Sequence, residues 1–257
     1  NLKYKKKKLI SVGKNIQDCL FFDDAINNNI VFRNKNLLNT QYIISLTSGS
    51  TGNPKPIVFN QITKILRSKA AIDLFKLKKT DIIITSTPLD VSLGQRLLFM
   101  SLILGSTSVI LRTFTENNWI NSVNNYDVTF SILISNQIER LINNHSNQFN
   151  KIKSLKKIVS SSAKFNDKIK KNKKILSQFQ LYEMYGASEI GTVTSLHLNK
   201  ELHKFDTVGR SCPNVDIKIL SNKRFLKNNI IGEIVCRTPL KFIGYLNSSK
   251  LTKKSFF

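Results

Sequence analysis

Short apolar runs alternate with helix-like periodicities over most of the chain from residue 41 onward. The runs 42–46 and 82–85 have the length and composition typical of buried strands. After Asn60, a good N-cap residue, one stripe of apolar positions follows with helical spacing: Ile62, Ile65, Leu66, Ala70 and Leu74. This strand–helix rhythm predicts an α/β fold, in which helices cover a mostly parallel sheet.

The other elements predicted from the same pattern continue this rhythm. Strands are expected at 42–46, 82–85, 109–111, 129–134, 158–159 and 181–185. Helices are expected after Asn60, at 93–104 with Gly105 at the C-terminal end, after the cap candidates Thr115 and Ser135, and at 167–179.

The helical periodicity stops after residue 195. Positions 215–220 and 230–237 alternate as strands do, and a polar turn that begins at Ser221 separates them. Residues 1–40 are basic and weakly patterned, and no chemical role is assigned to them. We therefore expect three segments: a basic N-terminal segment of a truncated core at 1–40, an α/β core at 41–198 and a smaller β-rich subdomain at 199–257.

The composition is that of a globular protein with a large excess of positive charge. Hydrophobic residues make up 41% of the chain and charged residues 22%, but the formal net charge is +24. Such a charge is compatible with binding to nucleic acid. However, lysine runs such as 5–8 and 170–174 are not interleaved with aromatic residues that would stack on bases. We interpret the runs as solvated surface and regard nucleic-acid binding as an unlikely alternative.

The cysteines and histidines do not suggest a metal site or a disulfide framework. The three cysteines, Cys19, Cys212 and Cys236, are scattered, and the three histidines form no ligand pattern. The longest apolar stretch, 97–111, is too short and too interrupted to span a membrane. No secretory signal follows the first lysine run. We therefore expect a cytoplasmic protein without a membrane span.

The chemically most informative segment is Thr47-Ser48-Gly49-Ser50-Thr51-Gly52-Asn53-Pro54-Lys55, which directly follows a predicted strand. Glycines let backbone N–H groups converge on an anion, and hydroxyls and a lysine add donors and charge. This composition favours a polyphosphate ligand. It differs from the common phosphate-loop pattern because Gly52 is not followed directly by lysine. A solvated loop without a ligand remains the alternative.

Four segments, in order, resemble motifs of the adenylate-forming superfamily, which includes acyl-CoA synthetases, aryl-CoA ligases, luciferases and the adenylation domains of peptide synthetases. The first is the Thr47–Lys55 segment, which resembles the phosphate-binding signature of that family. The second, Tyr185-Gly186-Ala187-Ser188-Glu189, resembles the Tyr-Gly-x-Thr/Ser-Glu motif. The others are Val208-Gly209-Arg210-Ser211-Cys212-Pro213 and the block from Gly232-Glu233 to Gly244-Tyr245.

The resemblance implies roles for particular residues. Thr47, Ser48, Gly49, Ser50, Thr51 and Gly52 would surround the phosphates of ATP, with Lys55 adding charge. Ser188 would contact phosphate, Glu189 would hold magnesium, and Tyr185, with Gly186 and Ala187, would lie against adenine. Lys55, Ser188 and Glu189 are therefore the expected catalytic residues. Without the resemblance, Tyr185 would be interpreted as a core aromatic residue and Glu189 as a surface acid.

Two further segments correspond to the adenine and acyl sites of the family, with departures from the usual residues. Ser162 and Ala163 occupy the place where the family has a glycine-rich segment beside adenine. Asp90, Val91 and Gly94 stand where the acyl pocket is expected, but the usual aromatic residue and histidine are replaced by Asp90 and Val91. The pocket residues therefore do not identify the acid.

The resemblance implies ATP-dependent activation of a carboxylic acid as an acyl-adenylate, with magnesium, followed by transfer to coenzyme A or to the phosphopantetheine of a carrier protein. The family continues with a Thr-Gly-Asp motif and a small domain bearing a catalytic lysine, which do not occur before Phe257, and the sequence does not begin with methionine. We therefore expect an incomplete core that does not turn over alone. The alternative is a non-catalytic remnant that serves as a binding module.

Overall fold

The computed structural model describes residues 9–11, 19–21, 38–47, 54–227 and 229–256. The chain divides into two units, residues 1–37 and 38–257. In the first unit, strands β1 (Leu9–Ser11) and β2 (Cys19–Phe21) pair in parallel, with Leu9 opposite Cys19.

The second unit contains the α/β elements that the periodicity predicts. Its strands are β3 (Gln41–Leu46), β4 (Pro56–Asn60), β5 (Ile82–Thr85), β6 (Thr107–Ile110), β7 (Phe130–Ile134), β8 (Lys157–Ser161), β9 (Gln180–Ala187), β10 (Gly191–His197), β11 (Arg210–Ser211), β12 (Asp216–Ser221), β13 (Arg224–Leu226), β14 (Glu233–Arg237) and β15 (Gly244–Tyr245). Its helices are α1 (Gln61–Leu74), α2 (Ser92–Leu104), α3 (Glu116–Asn125), α4 (Ser135–Asn144), α5 (Ser146–Phe149), α6 (Asp167–Lys170), α7 (Lys173–Gln178) and α8 (Ser249–Lys254), with a 3₁₀ turn at Leu202–Lys204.

A seven-stranded sheet forms the centre of this unit, in the order β11-β10-β9-β8-β7-β5-β6. The five strands from β6 to β9 are parallel, and β10 and β11 add to the edge in antiparallel fashion. The parallel block requires crossover connections, which the intervening helices supply. The prediction of a mostly parallel, helix-covered sheet is confirmed.

Helices cover both faces of this sheet because consecutive strand residues are apolar on both sides. In β7, Ile132 packs with α1 and α2 residues on one face, whereas Leu133 packs with α3 and α4 residues on the other. In β8, Val159 and Ile158 divide between the two faces in the same way. Side chains alternate along a strand, so a run that is apolar at every position requires cover on both faces.

Two small antiparallel sheets complete the second unit. One has the order β15-β4-β3 and joins the segment before α1 to the C-terminal part of the chain. The other has the order β13-β12-β14 and lies in the region where the sequence predicts a β-rich subdomain. The exact domain boundaries at 40 and 198 stay a prediction.

The predicted helix ends are confirmed at three positions. Asn60 caps α1 by accepting a hydrogen bond from the Thr63 backbone N–H at 2.9 Å. Thr115 caps α3 in the same manner. Gly105 ends α2 with φ 62°, a left-handed conformation that favours glycine.

The structure also corrects three sequence-based predictions. The helix expected at 167–179 is two short helices, because Asn172 caps α7 through the backbone N–H groups of Lys174 and Ile175. Strand β10 was not predicted, since its threonines and serine gave no clear apolar run. Strand β4, just before Asn60, was also missed.

The stripe predicted to face the core on α1 is wrong as well. Ile62, Ile65 and Leu66 are only half-buried, whereas the buried face carries Thr63, Lys64, Arg67, Ser68, Ala71 and Ile72. Apolar periodicity fails here because α1 turns a largely polar face inward. That polar face is part of the functional site described below.

A buried ion pair joins α6 to β9. Lys170 Nζ lies 2.5 Å from Glu183 Oε2, and both side chains are at most 3% exposed. Lys170 also donates to the Phe205 carbonyl at 2.8 Å, and Glu183 Oε1 accepts from the Phe165 backbone N–H at 3.1 Å. The interpretation of the 170–174 run as solvated surface is therefore wrong for Lys170, because its charge is neutralised inside the protein.

We predict that Lys170→Met lowers the free energy of unfolding by about 3–5 kcal/mol, since it leaves the Glu183 carboxylate buried without its partner. The double variant Lys170→Met/Glu183→Gln should recover a large part of this loss, because the glutamine is neutral. Urea denaturation followed by circular dichroism measures both values.

The control is Lys164→Met, which breaks the exposed pair between Lys164 Nζ and Asp167 Oδ2 at 3.7 Å. An exposed pair contributes less than about 1 kcal/mol. Equal losses for Lys164→Met and Lys170→Met would contradict the assignment of Lys170 as a buried, paired charge.

Candidate functional site

A cleft of about 260 Å³ opens at the carboxyl ends of β3, β8 and β9. Ligands of open α/β sheets bind at this edge. The predicted site residues that line the cleft are Thr47, Lys55, Ser162, Tyr185, Gly186, Ala187, Ser188 and Glu189. The two most specific sequence motifs, which end at Lys55 and begin at Tyr185, therefore meet in one place.

The ends of the predicted phosphate segment are held together. The backbone N–H of Thr47 donates to the Lys55 carbonyl at 3.1 Å, and the Lys55 N–H donates to Thr47 Oγ1 at 3.0 Å. The segment therefore begins and ends at the mouth of the cleft. The predicted phosphate ligands Ser48, Gly49, Ser50, Thr51 and Gly52 lie outside the described residues.

The second motif forms the end of β9 and the turn into β10. Tyr185 is 38% exposed and lines the cleft, so it is not a core aromatic residue. A Cβ atom at Gly186 would overlap the carbonyl oxygen of Gly191, and Gly191 itself has φ 80°. Only glycine permits this close approach of the two strands beside the cleft.

Glu189 is oriented by contacts from the C-terminal part of the chain. Its carbonyl accepts from the Phe242 N–H at 2.6 Å, and its Oε1 accepts from the Tyr245 hydroxyl at 2.8 Å. Burial, together with the Glu189 carboxylate, raises the pKa of Tyr245, so the phenol stays protonated and donates. Lys55 Nζ lies 5.9 Å from the centre of the Tyr245 ring.

Arg67 of α1 holds the Ser188–Glu189 backbone in place. Its Nη1 donates to the Ser188 carbonyl at 2.9 Å and to Ser92 Oγ at 3.2 Å. Its Nη2 donates to the Glu189 carbonyl at 3.2 Å, and its Nε to the Leu240 carbonyl at 2.7 Å. One guanidinium group thus connects α1, α2, the β9–β10 turn and the segment before β15.

The predicted adenine segment follows β8. Ser162 has φ 72°, the left-handed conformation that glycine would adopt without strain, although serine stands here instead of glycine. Ser135 Oγ donates to the Ala163 carbonyl at 2.8 Å and lies 2.9 Å from Ser160 Oγ. These bonds fix the 160–163 segment. Ser162 lines the cleft, with Ser161 beside it, whereas Ala163 does not.

The predicted acyl-pocket residues lie beside the cleft but do not line it. Asp90 is exposed, Val91 is the N-cap residue of α2, and a Cβ atom at Gly94 would overlap the Pro88 carbonyl oxygen. The side chains that do line this part of the cleft are Ser92, Leu93, Arg96, Met184 and Thr192. The acyl-pocket assignment of Asp90, Val91 and Gly94 stays a prediction.

Three cations are buried near the cleft: Arg96 lines it, Arg67 contacts the Ser188 and Glu189 carbonyls behind it, and Lys64 donates to Gln95. Burial, followed by the charges of Arg67 and Arg96, lowers the pKa of Lys64 to about 7. Burial lowers the pKa of Arg96 to about 10. Burial and Arg96 also lower the pKa of Arg67, while the Glu189 charge opposes that shift. The buried positive charges of Arg67 and Arg96 favour anions at the cleft.

Sequence reasoning missed Arg67, Lys64, Arg96 and Tyr245 as contributors to the site. The signal was present on α1, where Lys64 and Arg67 are three residues apart and therefore on one face. Because buried lysines and arginines are rare, such a basic pair is normally expected on the solvent side of a helix.

The donors present fit a magnesium ion. Magnesium is usually held by one or two carboxylates together with phosphate oxygens and water. Glu189 supplies one carboxylate at the cleft, beside the Thr47–Lys55 pair that bounds the predicted phosphate segment. The oxygen-donor set is thus suited to a metal that is shared with a polyphosphate.

Residues 10–246 match the family of AMP-binding enzymes. The chain therefore belongs to the AMP-binding, or adenylate-forming, family. It is 26% identical over 224 residues to 4-coumarate–CoA ligase-like 6 of Arabidopsis thaliana and 25% identical over 211 residues to indoleacetate–CoA ligase of Aromatoleum aromaticum. These alignments cover 82% and 81% of this chain, but only 39% and 41% of the relatives.

The fold is that of solved adenylate-forming enzymes. A mutant of the amide bond synthetase McbA from Marinactinospora thermotolerans superposes with a TM-score of 0.80 at 19% identity, over 96% of this chain and 50% of McbA. O-succinylbenzoate coenzyme A synthetase from Bacillus subtilis, in complex with ATP and magnesium, gives 0.78 at 20% identity, over 86% of this chain and 46% of that enzyme. Among the described residues, no helix is long and apolar enough to cross a membrane.

We predict that Arg67→Met lowers the free energy of unfolding by about 3 kcal/mol and weakens ATP binding. The substitution removes the donor from the carbonyls of Ser188, Glu189 and Leu240, and each unsatisfied buried group costs about 1–3 kcal/mol. Chemical denaturation and calorimetry with ATP measure the two effects.

Arg140→Gln is the control for this prediction. Arg140 is also paired, with Glu116 at 2.6 Å, but its side chain is 53% exposed and distant in sequence from the cleft residues. Because Arg140 does not line the cleft, its loss should leave ATP affinity unchanged. Unchanged ATP affinity in Arg67→Met would contradict the role given to Arg67.

We predict that Lys64 makes the protein less stable at low pH. The pKa of Lys64 is about 7 in the folded state and about 10.5 when unfolded. The unfolded state therefore binds more protons between these values, so stability rises with pH across this window. From pH 6 to pH 9 the unfolding free energy of the wild type should gain roughly 3 kcal/mol relative to that of Lys64→Met.

The measurement is urea denaturation of both proteins at pH 6, 7, 8 and 9. Lys69→Met, which removes an exposed lysine from the same helix, is the matched control and should follow the wild type. Parallel pH profiles for wild type and Lys64→Met would show that Lys64 is not a buried charge in solution.

Proposed function

We propose that this chain forms the ATP-binding core of an enzyme that activates a carboxylic acid as an acyl-adenylate and then transfers the acyl group to a thiol. The observation that carries the proposal is the meeting of Thr47, Lys55, Tyr185, Ser188 and Glu189 at one cleft. Family membership supports adenylation, and the CoA ligases among the relatives favour coenzyme A as the acceptor.

In the first half-reaction, a carboxylate oxygen attacks the α-phosphorus of ATP, and the bond from that phosphorus to the bridging oxygen breaks. Pyrophosphate leaves with the negative charge that develops on this oxygen. Lys55 and the N–H groups and hydroxyls of the 47–52 segment would stabilise this charge. Ser188 would contact the phosphate, and Tyr185 would support the adenine ring together with Gly186, Ala187 and Ser162, whereas Ala163 does not line the cleft.

Glu189 would hold magnesium at the phosphates. A magnesium ion supplies positive charge that offsets the charge of the transferring phosphate groups. The Tyr245 hydroxyl orients the carboxylate by donating to Oε1, while Arg67 fixes the backbone on either side. Glu189 is thereby positioned before any ligand arrives, which reduces the reorganisation needed during the reaction.

In the second half-reaction, the sulfur of a thiol attacks the acyl carbon, and the bond from that carbon to the phosphate oxygen of AMP breaks. The thiol would be that of coenzyme A or of a carrier-protein phosphopantetheine. A cytoplasmic location is part of the same proposal, since the scattered cysteines suggest no disulfide framework.

The test is carboxylate-dependent exchange of pyrophosphate into ATP by the full-length protein, with a panel of fatty, aryl and amino acids. Exchange should occur with one class of acid, and both Lys55→Ala and Glu189→Gln should lower its rate by about 10²-fold or more. Lys153→Ala, which changes a lysine outside the cleft, is the matched control and should not alter the rate.

Exchange that persists unchanged in Glu189→Gln would contradict the assigned metal role. No exchange with any acid, by a folded protein that binds ATP, would favour the alternative of a non-catalytic binding module. Binding to duplex or single-stranded nucleic acid that falls steeply with salt, without any effect of ATP, would favour the nucleic-acid alternative.

A further inference from the structure

Arg96 is a buried cation at the cleft without an acidic partner among the described residues. It is 8% exposed and lines the cleft. Its Nη1 donates to Thr192 Oγ1 at 2.7 Å, but its buried Nε has no hydrogen-bond partner in the part of the chain that the structure describes. Buried charges in proteins are normally paired, because desolvation without compensation is costly. An anion in the cleft would provide the missing partner.

The first turn of α2 reinforces this anion preference. Ser92 and Leu93 line the cleft, the N-cap residue Val91 provides no capping hydrogen bond, and no acidic residue lies in the first turn. A helix N-terminus carries partial positive charge and free N–H groups. The helix terminus and the Arg96 guanidinium therefore act on the same part of the cleft.

The position of Arg96 relative to the proposed reaction centre can be followed through hydrogen bonds. Ser92 Oγ and the Ser188 carbonyl share the Arg67 Nη1 donor, so the start of α2 lies beside Ser188. Arg96 follows Ser92 by four residues, which is one helical turn and about 6 Å along the axis. Its contact, Thr192, pairs with Gly186 across the hairpin.

We propose that Arg96 selects substrates with a second carboxylate, so that the acid activated at this site is a short dicarboxylic acid. One carboxylate would react beside Ser188, and the other would accept hydrogen bonds from Arg96 about one helical turn deeper in the cleft. The inference rests on the proposed function. Leu93 and Met184, which also line the cleft, would contact the carbon chain between the two carboxylates.

Other charges near the cleft agree with this assignment. Lys64 and Arg67 add positive charge around Arg96, and among the described residues Glu189 is the acid that lines the same cleft. Glu189 is engaged with Tyr245 and is assigned to magnesium, so it does not neutralise Arg96. Asp73 lines a neighbouring cavity of about 180 Å³ that Arg96 also lines, but the two side chains form no ion pair.

The experiment compares glutarate with pentanoate, which have the same chain length but differ in one carboxylate. Their affinities for the full-length protein are measured by calorimetry in the presence of magnesium and a non-hydrolysable ATP analogue. Wild type should bind glutarate more tightly than pentanoate by about 10-fold or more, and Arg96→Gln should remove this preference by weakening glutarate binding far more than pentanoate binding. Adipate and hexanoate form a second pair, which is one methylene longer and tests the distance between the two carboxylate sites.

Three further variants distinguish binding of the second carboxylate by Arg96 from a purely structural role of that residue. Arg96→Lys keeps the charge and should retain part of the preference. Thr192→Val removes the acceptor that orients Nη1 and should reduce the preference several-fold. Arg112→Gln, at an exposed arginine, should change nothing. Equal affinity of wild type for glutarate and pentanoate, or equal weakening of both by Arg96→Gln, would overturn the proposal.

Binding of the acids does not require turnover, so the experiments test the proposed adenylation and the proposed carboxylate subsite at Arg96 independently. A preference for glutarate that depends on Arg96, without pyrophosphate exchange, would support the subsite and contradict the proposed function. Exchange with pentanoate but not with glutarate, unaffected by Arg96→Gln, would support the function and overturn the subsite. If Arg96→Gln does not fold, the wild-type comparison and Thr192→Val decide.

Discussion

The site depends on one buried guanidinium group. Arg67 reaches from α1 to Ser92 on α2, to the carbonyls of Ser188 and Glu189, and to the Leu240 carbonyl. Three of these four partners are backbone carbonyl oxygens. The bonds from Arg67 therefore fix the position of the main chain rather than that of one side chain. The Ser188–Glu189 segment can therefore present its side chains to the cleft without reorganising when charge develops. A neutral or shorter side chain could not satisfy all four acceptors.

The buried positive charges lower the stability of the protein and favour the binding of anions. Lys64, Arg67 and Arg96 are buried together, and burial lowers the pKa of each. Their mutual repulsion destabilises the protein without ligand, whereas a polyphosphate or carboxylate would compensate it. The same repulsion that lowers the stability of the ligand-free protein therefore favours the binding of anions. Functional sites commonly combine local destabilisation with ligand binding in this way.

The fold was predictable from the sequence because the parallel strands are apolar on both faces. Such continuous apolar runs indicate strands, and they require helices on both sides of the sheet. Thr47, Lys55 and Glu189, which stand in long, specific motifs, lie at one cleft, and their roles stay a prediction. Prediction from the sequence failed on α1, where Lys64 and Arg67 occupy the buried face, since periodicity assumes that charges face water. Partners such as Tyr245 were not predictable, because only the tertiary fold brings it within 2.8 Å of Glu189.

The most direct test of the central claim is the magnesium dependence of ATP binding. ATP should be titrated into wild type and into Glu189→Gln by calorimetry at increasing magnesium concentration. The account predicts that magnesium strengthens ATP binding to the wild type, and that this gain is largely lost in Glu189→Gln although ATP still binds. Absence of ATP binding, or the same magnesium dependence in both proteins, would contradict the claim that this cleft holds a metal-bound polyphosphate.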